Sequence, residues 1–523
     1  MGSVSKMKPI YTFDIETDPF QYMRIPQPFA CGFFDGERYM YRWGIDCMER
    51  MREFITDLPP GIIYVHFGGK FDFYYMLDWF DGRMSIIGSK IIKTYGIGHE
   101  WRDSFAIYPE ALKTFKKDEI DITKFEAGTR EKYRDEIVSY LKGDCVYLHE
   151  LVTKFWDEFG DNLTIGATAM KEIKKRHKFD VLSAEDDTRI RSKYYYGGRV
   201  QCFEKGIITP SDGERLYCYD INQSYPCSMR DYEHPIGAPS FGSNTIVDST
   251  FFVTVFGYSH GCFPKRDNDG GLYFPIGDGI FSVTIHEYKA GLDTGMFEPY
   301  YIVETVNFDK VGNFAEFVDH FHGLRNQAKR DGNELFSTFY KRVCNSGYGK
   351  FAQSPDNYKD YLIKPIGVTP LGYVEDSIIG NIVIWSKDAE DVTRYNVATG
   401  ASITGCSRSF LIRALASAKR PIYCDTDSII CESLGPDTDY DEYKLGAWKT
   451  EKMGDRFALA GRKLYALFDG DKCVKMACKG VQLTPQEIET VARGGKVTWK
   501  KDAPTFSLSR GTRFIHRDIQ MIP

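Results

Sequence analysis

The chain has 523 residues, enough for about two to four domains with sizeable cores, and its 42% hydrophobic and 27% charged content excludes a disordered or fibrous polymer. A formal net charge of −6 rules out a uniformly basic nucleic-acid coat, although it still allows acids to gather in one place and lysines in another. The 13 cysteines form no C-x-x-C pair, the N-terminus has no signal-like apolar run, and the longest apolar stretch, Ile378 to Trp385, is interrupted by Gly380 and Asn381. These features predict a soluble, intracellular protein without structural zinc or a membrane span.

In chain order, residues 9–16 (PIYTFDIE) and 61–67 (GIIYVHF) read as short apolar strands, and 130–157 carries a helical pattern closing on Leu148, Leu151 and Phe155. Strands followed by a helix predict an α/β domain over 1–185. Period-two geometry puts Asp14 and Glu16 on one face of the first strand. Asp72 follows in HFGGKFD, and Tyr140 and Asp144, four apart, share a helical face. Four acids from three elements can hold two metal ions, with Tyr140 orienting an attacking water.

A second block, 186–523, opens near Tyr195-x-Gly197-Gly198, where two glycines allow a sharp connector. LYCYD (216–220) and PIYCDTDSIICE (421–432) read as buried strands or a hairpin, and 333–349 as a helix. Spans 232–325 and 354–400 are turn-rich and read as insertions; the second is expected to form a hairpin between neighbouring subdomains. Three motifs stand in order. Asp220 closes an apolar strand and leads through Ser224 to Tyr225-Pro226; Lys341, Asn345 and Tyr348 share one helical face; and Asp425-Thr426-Asp427 sits at a strand turn. Acids this close need a cation, and hard oxygen ligands select Mg²⁺.

Together these motifs resemble motifs A, B and C of the family B DNA polymerases, and the N-S-x-Y-G-K-F and Y-C-D-T-D-S matches are similar to the protein-primed branch of small tailed phages and linear plasmids. The resemblance implies an RNase H-like α/β exonuclease domain (1–185) followed by an α+β right-hand polymerase (186–523) of palm, fingers (326–353) and thumb (485–523). It also implies that the insertion at 232–325 contacts a terminal protein and that the one at 354–400 serves processivity and strand displacement. The implied activity is template-directed DNA synthesis from dNTPs with 3′–5′ proofreading, in a monomer acting in the host cytoplasm. Its implied partners are DNA template and primer, a terminal protein and a single-stranded-DNA-binding protein.

By the same carry-over Asp220, Ile221 and Asp427 are metal ligands with Asp425 beside them, at a site of two Mg²⁺ ions for which Mn²⁺ can substitute. Lys329 and Lys341 bind the triphosphate with Asn345 and Tyr348 nearby, and Tyr225 lies under the sugar and excludes a 2′-hydroxyl. Tyr195, Gly197, Gly198, Thr404, Arg408, Lys463 and Tyr465 contact DNA. In the first domain Asp14, Glu16, Asp72 and Asp144 hold metal, Tyr140 and Lys117 assist hydrolysis, and Ser104 contacts the single strand. Two departures stand out: Phe67 occupies the region where the family has an asparagine, and Phe105 follows Ser104 where it has leucine. Two other classes remain open: an RNA polymerase or reverse transcriptase, expected to carry Y-x-D-D and commonly a small gate residue, and a degenerate polymerase kept as a DNA-binding module. A family B polymerase using ordinary nucleic-acid primers is a third possibility.

Overall fold

The computed structural model describes residues 8–116, 118–390 and 392–521. Its first domain is built on a sheet in the spatial order β3 (Tyr39–Trp43), β2 (Pro28–Phe34), β1 (Ile10–Thr17), β4 (Ile62–Val65), β7 (His99–Asp103), β6 (Lys90–Gly96), β5 (Gly82–Ile87). β1 lies parallel to β4 and antiparallel to β2. Alternation along β1 divides its side chains. Tyr11, Phe13 and Ile15 join the core with Cys47, Met51 and Ile55 of α1 (Cys47–Thr56). The intervening residues face α2 (Arg134–Phe159), where Thr12 Oγ1 donates to the Cys145 carbonyl at 2.8 Å. Asp14 and Glu16 therefore look toward the helix that carries Asp144.

Helices α3 (Ile165–Arg176) and α4 (Ala184–Lys193) lead into the second block, which centres on a five-stranded sheet. Its order is Trp448–Gly454, β10 (Leu216–Ile221), Ser428–Cys431, Tyr423–Asp425, β8 (Val200–Cys202), while β9 (Gly206–Ile208) joins a neighbouring sheet. α5 (Ser224–Asp231) follows β10 directly. The first insertion is a four-stranded antiparallel sheet, Pro239–Ser243, Phe297–Phe308, Thr250–His260, Ile276–Thr284, with α6 (Ile285–Asp293) packed on it.

The sequence-based boundary at 325 falls inside α7 (Ala315–Arg330), which pairs with α8 (Glu334–Phe351). Phe317, Val318, Phe321 and Ala328 share one core with Leu335, Phe339 and Val343, so α7 belongs with α8 rather than with the inserted sheet.

The second insertion also differs from the hairpin expected between palm and thumb. Its strands Lys359–Pro365, Val374–Ile379 and Ile382–Asp388 form a meander whose Tyr361, Leu362 and Ile363 pair with Met84, Arg83 and Gly82 of β5. The first domain's sheet thereby becomes ten-stranded, and Ile363, Ile382 and Ile384 are buried in its core. Sealing the open edge of β5 satisfies backbone groups that would otherwise be exposed. Residue 400 lies within α9 (Val397–Ser417), so the insertion ends earlier than its sequence-based limit.

Near the C-terminus, α10 (Pro485–Ala492) packs on the sheet containing β9, Arg456–Gly461 and Leu464–Asp469. The segment after it returns to the first domain, where the Phe506 ring stacks on Tyr74 at 4.9 Å and 17° and Leu508 is buried in the core. Among the described residues no helix is long and apolar enough to cross a membrane.

Candidate active sites

The D-T-D segment forms the tight turn between Tyr423–Asp425 and Ser428–Cys431, with Thr426 at φ +61° and the Asp427 N–H donating to the Asp425 carbonyl at 2.7 Å. On the other side, Asp220 pairs with Ser428 and the Ile221 N–H donates to the Asp427 carbonyl at 2.8 Å. Asp220 and Asp427 are thus brought together from two strands. The connector helps to hold this turn. A Cβ at Gly198 would lie 2.5 Å from Thr426 Oγ1, and the Thr426 N–H donates to the Arg199 carbonyl at 2.7 Å.

Burial pushes the Asp427 carboxyl up to about 7, helped by the negative charges of Asp220 and Asp425. Burial also raises Asp220, opposed chiefly by Lys449, whose Nζ is 3.8 Å away. Such a pair is poised to take up positive charge, and its oxygen-only donor set suits a hard divalent cation. Asp425 plays a different part. Both its oxygens lie 2.6 Å from Lys463 Nζ, and Tyr423 OH donates to it at 3.2 Å.

The Lys463-x-Tyr465 pair needs one correction. Lys463 stands at the acids, but Tyr465 is only 5% exposed and packs 5.2 Å from the Tyr423 ring. Its ring packs against those of Tyr423 and Phe457, so its faces are taken up inside the sheet's core. Thr404 and Arg408, expected as template contacts, are likewise buried at 2% exposure. Thr404 Oγ1 donates to the Ala401 carbonyl at 3.0 Å within its own helix. Arg408 donates to Glu287 of α6 at 2.7 and 3.0 Å and to the Tyr196 and Gly197 carbonyls at 2.6 and 2.8 Å. It is a brace between the insertion, α9 and the connector. The Tyr195 carbonyl accepts from Arg266, so the connector is held through its backbone at successive residues.

Beside the acids, the Tyr225 and Tyr348 rings stack at 3.9 Å and 20°, one from the start of α5 and the other from α8. Asn345 Oδ1 is buried with no hydrogen-bond partner among the described residues. Lys341 falls below its ordinary pKa through burial and then the charges of Arg325 and Lys449, while Asp220 opposes the change. Lys329 is lowered first by Arg325. Lys329, Arg325, Lys341 and Lys449 therefore form one cationic cluster that reaches Asp220 through Lys341 and Lys449, and the motifs named only Lys329 and Lys341. Arg325 was legible as the i−4 neighbour of Lys329 on one helical face. Lys449 was not, because its position opposite Asp220 depends on strand register. Arg325→Ala is expected to raise the KM for dNTPs roughly ten-fold or more with a smaller change in kcat, the usual cost of losing a charge-assisted contact, as read by steady-state primer extension.

In the first domain, carboxylate oxygens of Asp14, Glu16 and Asp144 lie within 4.8 Å of one another, a spacing that could hold a metal ion. Asp72 is buried next to them and raised well above the carboxylate range, by burial and then by Asp14. Tyr140 lines the same cavity of about 630 Å³. Lys117 lies outside the described residues. Ser104 is fully buried and sits 2.9 Å from His66 Nδ1, a contact that orients that ring. His66 and the returning segment Lys501, Pro504 and Phe506 also line the cavity. Neither was expected, since the second arrives from the far end of the chain.

The model of the DNA polymerase type B family, organellar and viral, matches residues 90–434. The chain is 42% identical over 549 aligned residues to the DNA-directed DNA polymerase of Enterobacteria phage PRD1, covering 98% of each protein. It is 26% identical to the DNA polymerase of Bacillus phage phi29 over 67% of this chain and 63% of that one. Its fold matches phi29 DNA polymerase complexed with primer-template DNA and incoming nucleotide substrates at a TM-score of 0.74, with 19% identity, covering 98% of this chain and 100% of that one.

Proposed function

The chain belongs to the organellar and viral type B DNA polymerases and is a DNA-directed DNA polymerase, and from that premise we propose protein-primed replication with 3′–5′ proofreading, divided between two acidic centres. Members of the family use divalent metal ions. Asp220 and Asp427, with Ile221 through its backbone, would hold two Mg²⁺ or Mn²⁺ ions, which supply the positive charge that activates a primer 3′-hydroxyl and stabilises departing pyrophosphate. Lys341, Lys329 and Arg325 bind the triphosphate as fixed charges. Lys463, held by Asp425, faces the primer terminus. Asn345, whose buried amide oxygen has no partner among the described residues, is on the same helical face as Lys341 and would add a polar contact to the nucleotide. The observation that carries this reading is the meeting of Asp220 and Asp427 beside a stacked tyrosine pair and at the edge of a cationic cluster that Lys341 and Lys449 bring to Asp220.

Tyr225 acts as the sugar gate, with Tyr348 stacked against it as a stop. Tyr225→Val is expected to lower discrimination against ribonucleotides by roughly 10²-fold, of the order that unpairing or opening a built site allows. Single-nucleotide incorporation kinetics with dNTP and rNTP measure it; unchanged discrimination would move the gate elsewhere.

For proofreading, Asp14, Glu16, Asp72 and Asp144 would hold the hydrolytic metals, with Tyr140 placing the water and Lys117 assisting. The inserted sheet, which exposes Tyr300 and Tyr301, is the surface assigned to a terminal protein. The second insertion, anchored on β5, would help to enclose DNA for processive, strand-displacing synthesis. Mg²⁺-dependent extension of a primed template tests polymerisation. Transfer of a labelled dNMP to a hydroxyl of a small partner protein tests the priming mode. Extension without such transfer to any candidate terminal protein would assign it to ordinary nucleic-acid primers.

A further inference from the structure

We propose that Ser407 is a positioning residue for nucleotide selection: its hydroxyl, bonded to that of Ser224, holds the first turn of α5 and so fixes the Tyr225 ring that rejects the 2′-hydroxyl of a ribonucleotide. The inference rests on the reading of Tyr225 as the sugar gate and adds to it the group that keeps the gate from swinging.

A gate excludes by staying in place, and α5 begins without the usual means of anchoring. Gln223, at its N-cap, has φ +50° and makes no side-chain capping hydrogen bond among the described residues. Tyr225 is the second residue of the helix, and Pro226 after it brings no N–H. The Tyr348 ring, stacked at 3.9 Å, bars one side of Tyr225 but does not hold the backbone that carries it. The neighbouring residue does. Ser224 Oγ lies 2.6 Å from Ser407 Oγ of α9, and the two residues are 1% and 2% exposed.

That bond is one end of a buried polar seam. One turn further along α5, Ser228 Oγ donates to the Ile403 carbonyl at 3.2 Å, and Ile403 is one turn before Ser407 on α9, so the helices meet antiparallel with their turns in step. Past the end of α5, His234 Nε2 lies 2.8 Å from the Ser228 carbonyl and Nδ1 lies 2.9 Å from Ser402 Oγ. A carbonyl only accepts, so Nε2 carries the proton and the Ser402 hydroxyl donates to Nδ1. Thr399 Oγ1 closes the seam on the Pro235 carbonyl at 2.6 Å. α9 is itself fixed. Arg408, next to Ser407, is bound to Glu287 and to the Tyr196 carbonyl, and a Cβ at Gly405 would lie 2.2 Å from Thr284 Cγ2. The other bonds of the seam engage residues downstream of Tyr225, whereas Ser407 reaches the residue that precedes it. Without the Ser407 hydroxyl, the buried hydroxyl of Ser224 loses its partner, and the turn that carries the ring gains freedom to move aside. Close packing alone would be served as well by alanine at both places, so substitution separates the two roles.

The test measures single-nucleotide incorporation of dNTP and rNTP by the full-length enzyme and by Ser407→Ala, Ser224→Ala and the double variant, each made also in combination with Tyr225→Val. Ser407→Ala should lower discrimination against ribonucleotides roughly three- to ten-fold, the range that one buried hydrogen bond spans. The change should come from a higher kcat/KM for rNTP, with that for dNTP within about two-fold of the parent. Ser224→Ala should match it, and the double variant should lose no more than the larger single loss, because the two hydroxyls act as one pair. In combination with Tyr225→Val the same changes should add nothing. Each serine reads the bond from its own end, so the test stands even where one variant fails to fold. A loss of efficiency with both nucleotides alike, at unchanged discrimination, would reduce the pair to a packing role and overturn the proposal; so would a further fall in discrimination once Tyr225 is gone. If Tyr225→Val itself leaves discrimination unchanged, the gate reading falls and this inference with it, whereas a permissive Tyr225→Val beside serine variants of parental discrimination overturns the inference alone.

Discussion

Asp427→Ala is expected to reduce nucleotide addition by on the order of 10³-fold or more, equivalent to ~4 kcal/mol of transition-state stabilisation, while degradation of single strands stays within about two-fold of the parent. The asymmetry follows from the fold. Asp427 sits on a hairpin of the second block's sheet and meets Asp220 across β10, whereas Asp14, Glu16 and Asp144 come from β1 and α2 of another domain. No carboxylate is shared between the two sets. Loss of folding can be separated from loss of chemistry because of the electrostatics at Asp427. Its carboxyl titrates at about 7 in the folded chain, above the ordinary value near 4 in the unfolded one. The folded state therefore holds a proton that the unfolded state has released, and the cost of ionising the folded group grows between those values and is complete above pH 7. Removing the acid removes that cost. In metal-free buffer at pH 8 the variant should melt at the parent temperature or above it, and a marked fall in melting temperature, or equal loss of both activities, would contradict the separation.

Asp14→Ala/Glu16→Ala should do the reverse, removing hydrolysis by on the order of 10³-fold or more and leaving primer extension near the parent rate. Both acids belong to one strand and share the α2 side of the sheet, so the double change removes two of the three carboxylates whose oxygens lie within 4.8 Å. Hydrophobic packing should survive, because Tyr11, Phe13 and Ile15 on the opposite side of β1 are untouched. Asp72 stands next to the deleted charge. Its carboxyl is raised by burial and by Asp14, and it should move back toward the usual range once Asp14 is gone. Assays of 3′-labelled single strands and of primed templates, run on the same preparation, give both readouts. Persistent degradation by the double variant would place the hydrolytic centre elsewhere.

Short-range patterns in the chain were enough to identify the polymerase and its chemistry. Asp220, Asp425 and Asp427 are set by strand alternation and a tight turn, and Lys341, Asn345 and Tyr348 by helical spacing; both periodicities are local properties of a polypeptide and can be read without its fold. The same holds for Asp14 and Glu16 on β1, and for Tyr140 and Asp144 on α2. What tertiary structure decided lies wherever distant segments meet. Arg408 has the charge and place of a DNA contact, yet Glu287, 121 residues away, makes it a buried brace. Tyr465 has the right motif, but packing under Tyr423 turns its ring away. The second insertion has strand-like runs, but its pairing with β5, which makes it part of the first domain's sheet, depends on an open edge some 275 residues earlier in the chain (from Met84 to Tyr361, 277 positions). Strand pairing and ion pairing between remote segments cost chain entropy and are chosen by the whole compact state, so no local pattern announces them. The sequence by itself pointed to the family and its candidate acids; only the fold decided which of the remaining charged and aromatic residues reach solvent and which are spent holding the two candidate centres in place.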